Sequence, residues 1–224
     1  MRLHELQLTK DLIAAKEPVP GEGFQPGAQV KDIFTKNNWP LLGHGLEGAV
    51  GQHPTKNMVG KIFVKDSLYK EFVNIVKDNP NPHFPKFFKY VRDLPNTIFS
   101  YILMEKLEAT NPDFLVDNYI PELYVLDTES ESFLGKGIQG KFGAYVLDYI
   151  YDTQEEHRDN PYNPRVWNEL GQKPDDAWFK ACKMISHVAK LIGLRHLDLG
   201  NPKNFMLRGN TLVIIDPFAA ATAE

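Results

Sequence analysis

Near the C-terminal end, His196-Leu197-Asp198 is followed by Asn204, and the apolar run Thr211 to Ile215 ends at Asp216. A carboxylate such as Asp198 can accept or orient the proton of an acceptor hydroxyl. An amide oxygen at Asn204 and a carboxylate at Asp216 can hold Mg2+ against phosphate oxygens. Acid, amide and second acid in this order are the side chains that phosphoryl transfer uses. Asn201 is the rival to Asn204 as the metal-binding amide. Taken singly, each residue has a plainer reading: Asp198 caps a turn, Asp216 ends a strand, and His196 is a satisfied core histidine.

The N-terminal half supplies what such chemistry needs on the other side of a nucleotide. In "LLGHGLEGAVGQHPTKNMVGKIF", Gly43, Gly45, Gly48 and Val50 fit G-x-G-x-x-G-x-V. Glycines let a hairpin backbone approach triphosphate oxygens without a β-carbon in the way, and Val50 can cap an adenine ring. Lys61, on the strand-like "VGKIF", is placed to reach the α- and β-phosphates. The pattern alone is weak, and "GKGIQG" at Gly135 to Gly140 repeats it as an ordinary glycine turn. A dinucleotide-binding reading needs a helix directly after the glycines, which "HPTKNMVGKIF" does not supply. Glu71 follows in a helical stretch, sharing a face with Leu68 and Ile75 by spacing, and is expected to pair with Lys61. A surface glutamate at the edge of that face is the alternative.

Positioning these groups requires strands from Trp39 to Val64, a helix over "SLYKEFVNIVKD" stopped by "NPNPHFP", and a doubly buried strand in "TIFSYILMEKLE". The spacing also predicts a core helix from Asp175 to Leu194. Trp178, Cys182, Ile185, Ala189 and Ile192 line one face, widened by Ala181, Met184, Val188 and Leu191. "LHELQLTKDLIAA" reads as a short, weakly amphipathic helix, and "KEPVPGEGFQPG" as a linker, so the N-terminal arm is expected to be an appendage. The main domain then begins near Val30. "ELYVLDTESESFLGKGI" could form a hairpin. The literal His157-Arg158-Asp159 lies in a polar loop with no core helix before it, a chance match.

The chain has 224 residues, 42% of them hydrophobic, enough for one real core or two small lobes. Net charge is -4, with lysines and arginines scattered, which sets nucleic acid aside as a partner. Cys182 is the one cysteine and cannot form an internal disulfide. No apolar run approaches the length of a membrane helix and no signal-peptide core is present, so the expected compartment is a reducing cytoplasm.

On these motifs the chain resembles the protein-kinase-like superfamily from Gly43 to Phe218. "LLGHGLEGAV" with "NFMLRGNTLVIIDPF" looks most like the small protein-kinase-like proteins of bacteriophages. Eighteen residues separate Asp198 from Asp216, about the kinase separation, whereas Asn204 falls six after Asp198 where kinases place it five after. The resemblance implies an α+β, two-lobed fold. An arm over 1–29 would precede a small antiparallel-sheet lobe with one helix over 30–107 and a reduced, mainly helical lobe over 108–224.

It implies ATP and Mg2+ as cofactors, with adenine on the backbone of Glu105 and Leu107 beside Met104 as gatekeeper. Asp198 would be the base, Lys61 the phosphate clamp held by Glu71, and Asn204 and Asp216 the metal ligands. "DPF" in place of D-F-G is closer to small-molecule phosphotransferases. Only "AAATAE" follows Phe218, so neither an activation segment nor lower helices are expected. Three readings follow: a minimal, phage-encoded Ser/Thr protein kinase acting on host proteins; an inactive pseudokinase-like or virion-associated interaction protein; and a small-molecule kinase. The compartment would be the host cytoplasm or the virion.

Overall fold

The structure, a computed structural model, describes residues 8, 10, 11, 26–110, 176–192 and 202–218. Expectations for Gly135 to Gly140, the possible hairpin in "ELYVLDTESESFLGKGI", His157 to Asp159, His196, Asp198 and Asn201 lie outside these residues. The chain divides into two units, Met1–Asn79 with Pro85–Lys106, and Pro80–Phe84 with Leu107–Glu224. Within the described residues both units combine helix with antiparallel sheet, an α+β arrangement.

Helix α1 of the first unit is Pro26–Lys36. Pro26 suits the first helical position because its fixed φ is already helical and its missing N–H would have had no partner. Val30, Ile33 and Phe34, at i, i+3 and i+4, are buried. The helix ends because Asn38 turns left-handed, with φ 56°. Trp39 N–H then reaches the Phe34 carbonyl at 3.0 Å and Asn38 N–H that of Thr35 at 3.1 Å. The Trp39 ring packs on Phe34, centroids 5.6 Å apart, completing a Schellman stop. Helical structure is thus present ahead of Val30, with Pro26 and Gly27 opening a helix where a linker is expected.

Five strands follow the order β1-β2-β3-β5-β4, all neighbours antiparallel. They are β1 Leu41–His44, β2 Gly48–Gln52, β3 Met58–Val64, β4 Arg92–Asp93 and β5 Phe99–Glu105. Alternation sends Ala49, Ile62, Phe99, Tyr101 and Leu103 to one face, where they share a core with Val30, Ile33 and Phe34 of α1. Leu8 is 1% exposed in that same core, and Asn37 donates to the Asp11 carboxylate at 2.8 Å. Leu8 and Asp11, two of the described residues ahead of α1, therefore pack on this unit. Each such fully buried side chain contributes about 1.5–3 kcal/mol.

Helix α2, Leu68–Asp78, covers the opposite face of the sheet with Tyr69, Phe72, Val73 and Val76. The Tyr69 ring meets Phe63 of β3 edge-on at 5.0 Å. Lys70 reaches the Asp93 carboxylate at 2.9 Å, and the Ser100 hydroxyl donates to the same group. These donors, Ser100 first and the Lys70 ammonium second, hold the Asp93 carboxyl below its ordinary range. Strand β5 is buried from Phe99 to Met104, as its continuous apolar run predicts.

The second unit pairs β6 Glu108–Ala109, β7 Phe205–Arg208 and β8 Thr211–Ile214 in that order. Gly209, at φ 57°, makes the two-residue turn between β7 and β8. Helix α3, Asp176–Leu191, buries Trp178, Ala181, Cys182, Ile185, Val188 and Ala189. Leu191, expected on the apolar face, is 71% exposed in its last turn. Burial pushes the Cys182 thiol far above its usual pKa.

The segment "NPNPHFP" does more than stop α2. Arg208 donates to the Pro82 and Phe84 carbonyls at 2.7 and 2.8 Å, and Ile214 N–H to His83 O at 2.9 Å. His83 Nδ1 lies 2.8 Å from the Leu212 carbonyl, which can only accept, so that nitrogen carries the proton. The His83 ring stands edge-on to Trp178 at 5.1 Å. Among the described residues no helix is long and apolar enough to cross a membrane.

Candidate functional site

The strand registers decide which candidate residues share a surface. Val50 lies opposite Lys61, Gly43 opposite Val50, Gly48 opposite Phe63, and Val59 opposite Met104. Partners in an antiparallel pair point to the same side. Gly43, Gly48, Val50, Lys61 and Met104 therefore all stand on the sheet face that α2 covers. β1 reaches this register by skipping Leu42, which bulges out between Leu41 and Gly43. Without that extra residue Gly43 would face the α1 side.

The three glycines of the motif are not equivalent. A β-carbon at Gly48 would overlap the Ile62 carbonyl oxygen, so the fold itself demands glycine there. A β-carbon at Gly43 or Gly45 would meet nothing within 4 Å. Neither has a positive φ, so no feature of the described chain requires these two to be glycine. Gly45 N–H closes the hairpin onto the Gly48 carbonyl at 2.9 Å, and Leu46 at the tip is 70% exposed.

Lys61 does not find Glu71. Its Nζ sits 3.2 Å from the centroid of the Tyr69 ring. Tyr69 also donates its hydroxyl to the Met104 sulfur at 3.5 Å, so one side chain spans the strand lysine and the expected gatekeeper. Glu71 is exposed, and among the described residues no ion pair joins it to Lys61. The reason is helical phase. The buried stripe of α2 runs 69, 72, 73, 76, and Glu71 lies off it, on the face it shares with the half-buried Leu68 and Ile75. Tyr69 opens that stripe, and its aromatic character was the signal available in the sequence. A cation over a partly buried ring is worth about 0.5–2 kcal/mol.

Met104 is buried, and Glu105 ends β5 with its N–H given to the Lys86 carbonyl at 3.0 Å. The Glu105 carboxylate accepts from Lys86 N–H at 2.7 Å. Leu107 is buried at the start of the second unit's share of the chain.

In the second unit a single 3-10 turn, Pro202–Asn204, delivers Asn204 to the start of β7. Asn204 is 7% exposed, and its carbonyl accepts from Ile215 N–H at 2.8 Å. Because Phe205 pairs with Ile214, this bond extends the ladder by one step and sets Asp216 at the same end of the hairpin as Asn204. The two expected metal ligands thus lie one register step apart at the ends of neighbouring strands. Both offer oxygen donors, which suits a hard cation that keeps phosphate and water ligands. Among the described residues no three His, Cys, Asp or Glu side chains are gathered for a metal held by protein alone. No protein-family model matches the sequence, and no curated protein matches it either.

Proposed function

We propose that the protein is an ATP- and Mg2+-dependent phosphotransferase of the protein-kinase-like kind, phage-encoded and acting on Ser/Thr of host proteins. The observation that carries the reading is the single sheet face bearing Gly43, Gly48, Val50, Lys61 and Met104. Beside it, Gly43 and Gly45 have open space where a β-carbon would be. That space fits close approach of phosphate oxygens to backbone, and a strand lysine across from Val50 fits a clamp below an adenine-capping residue. Asn204 and Asp216, at one end of the β7–β8 hairpin, carry the oxygen donors that a magnesium site completed by phosphates needs.

In this reading Lys61 neutralises the α- and β-phosphates, and Asn204 and Asp216 hold the metal. Met104 borders the adenine, which bonds to the Glu105 carbonyl and to Leu107, because the Glu105 N–H is already given to Lys86. Asp198 takes the acceptor hydroxyl proton. When bound, Mg-ATP supplies the transferable phosphoryl group and charge neutralisation. The test is incubation with labelled ATP and host lysate. Label should appear in proteins or in the chain itself and vanish with Asp198→Ala. No transfer by well-folded protein would overturn the proposal.

A second reading is favoured by one observation, the seat of Lys61 on Tyr69 with Glu71 facing solvent. Kinase turnover uses a lysine held by a carboxylate. With Glu71 out of that role, the chain suits a pseudokinase-like module that binds nucleotide without transferring phosphate. A thermal shift with Mg-ATP and no transfer would select it. A shift of about 2.7 kcal/mol is expected at 100 times the dissociation constant.

A further inference from the structure

Helix α1 grips the glycine hairpin at two points. At the tip, Gly27 N–H donates to the Leu46 carbonyl at 3.0 Å. The contact is so close that a β-carbon at 27 would overlap the Gly45 carbonyl oxygen and stand 2.9 Å from that of Gly48. At the base, the Phe34 ring lies against Gly51 of β2, where a β-carbon would be 2.6 Å from the ring. Phe34 itself is fully buried and anchored by the Trp39 stop, so the helix is a fixed body. Gly27 and Gly51 stand outside the G-x-G-x-x-G pattern, and both are glycine because helix and hairpin approach so closely.

An exposed hairpin tip has little packing of its own, and fixing a mobile backbone on binding costs conformational entropy. A tip already held by the folded unit does not incur that cost when ligand arrives. We propose that α1 is a splint for the glycine hairpin. Gly27 is a positioning residue that holds the backbone of Gly45 and Leu46 where the phosphates of a nucleoside triphosphate meet it. This rests on the nucleotide reading above.

The experiment uses the full chain, amide hydrogen exchange by NMR, and calorimetric titration with a non-hydrolysable Mg-ATP analogue and with adenosine. In the native chain the Gly27 and Gly45 amides should exchange through one shared opening. In Gly27→Ala the affinity for the ATP analogue should fall about tenfold, the loss of roughly one charge-assisted hydrogen bond. Affinity for adenosine should not change, a split that general destabilisation would not produce.

Unchanged affinity for the analogue, an equal loss for both ligands, or a Gly45 amide that opens independently of Gly27 would each overturn the proposal. If Gly27→Ala does not fold, the native exchange measurement decides the splint by itself. If the native chain binds neither ligand, the nucleotide reading falls and the positioning role of Gly27 falls with it. Shared exchange would then still establish the splint as a mechanical contact.

Discussion

Lys61 rests on an aromatic ring, and this decides what its neighbours do when replaced. Glu71→Ala should leave stability within about 0.5 kcal/mol and leave nucleotide binding unchanged, because an exposed helix position without an ion pair contributes little. Tyr69→Leu should cost about 1–3 kcal/mol in urea unfolding and weaken binding of Mg-ATP, since it removes the ring under Lys61 and the contact with Met104. Equal effects of the two substitutions would show that the carboxylate, not the ring, serves the lysine. The lysine and its strand were legible from "VGKIF", because strand patterning and a charged residue in an apolar run are local signals. The partner was not. Glu71 and Tyr69 both lie on the first turns of α2, and only the phase of the buried stripe, set by contacts with Phe63 and Met104, separates them.

At the scale of the hairpin, the three motif glycines should respond in opposite ways. Gly48→Ala forces a β-carbon onto the Ile62 carbonyl and should destabilise the first unit by about 1–3 kcal/mol. Gly43→Ala and Gly45→Ala have room and should keep the melting temperature, while each weakens binding of the ATP analogue if phosphates approach there. Thermal melts beside calorimetry separate the two kinds of glycine. In the second unit, His83→Ala removes the imidazole N–H given to the Leu212 carbonyl and opens space beside Trp178, and should cost about 2–4 kcal/mol. Its unfolding midpoint, set against an exposed control such as Lys86→Ala, tests this. The β7–β8 pair was readable from "FMLRGNTLVII", since two apolar runs around a glycine turn specify a hairpin locally. The tie between "NPNPHFP" and that hairpin was not readable, because residues more than a hundred positions apart meet there. The start of α1 was missed for another reason. Proline and glycine usually mark a linker, and here one opens a helix while the other permits a close approach.

Across the molecule, charge and burial set how it responds to solution conditions. The Asp93 carboxyl is held below its ordinary range by Ser100 and Lys70. A lowered folded value means that the stabilisation is fully present above the unfolded value near 3.9 and is lost as pH falls through the folded one. Asp93 is half exposed, so the contribution is modest and screened by salt. The unfolding midpoint of the native chain should drop more steeply than that of Asp93→Asn as pH falls below about 4. Parallel curves would remove Asp93 from the account. Net charge and the lack of a basic stripe were read from composition directly, whereas the burial of Leu8 beneath the sheet depends on tertiary contact that composition cannot carry. The sole cysteine has a practical use. Cys182 is sealed inside the second unit with its thiol held protonated, so it should be inert to aromatic disulfide reagents while that unit is intact. Each exposure of the sulfur then leaves a coloured product, and the native chain carries its own clock for the opening of α3.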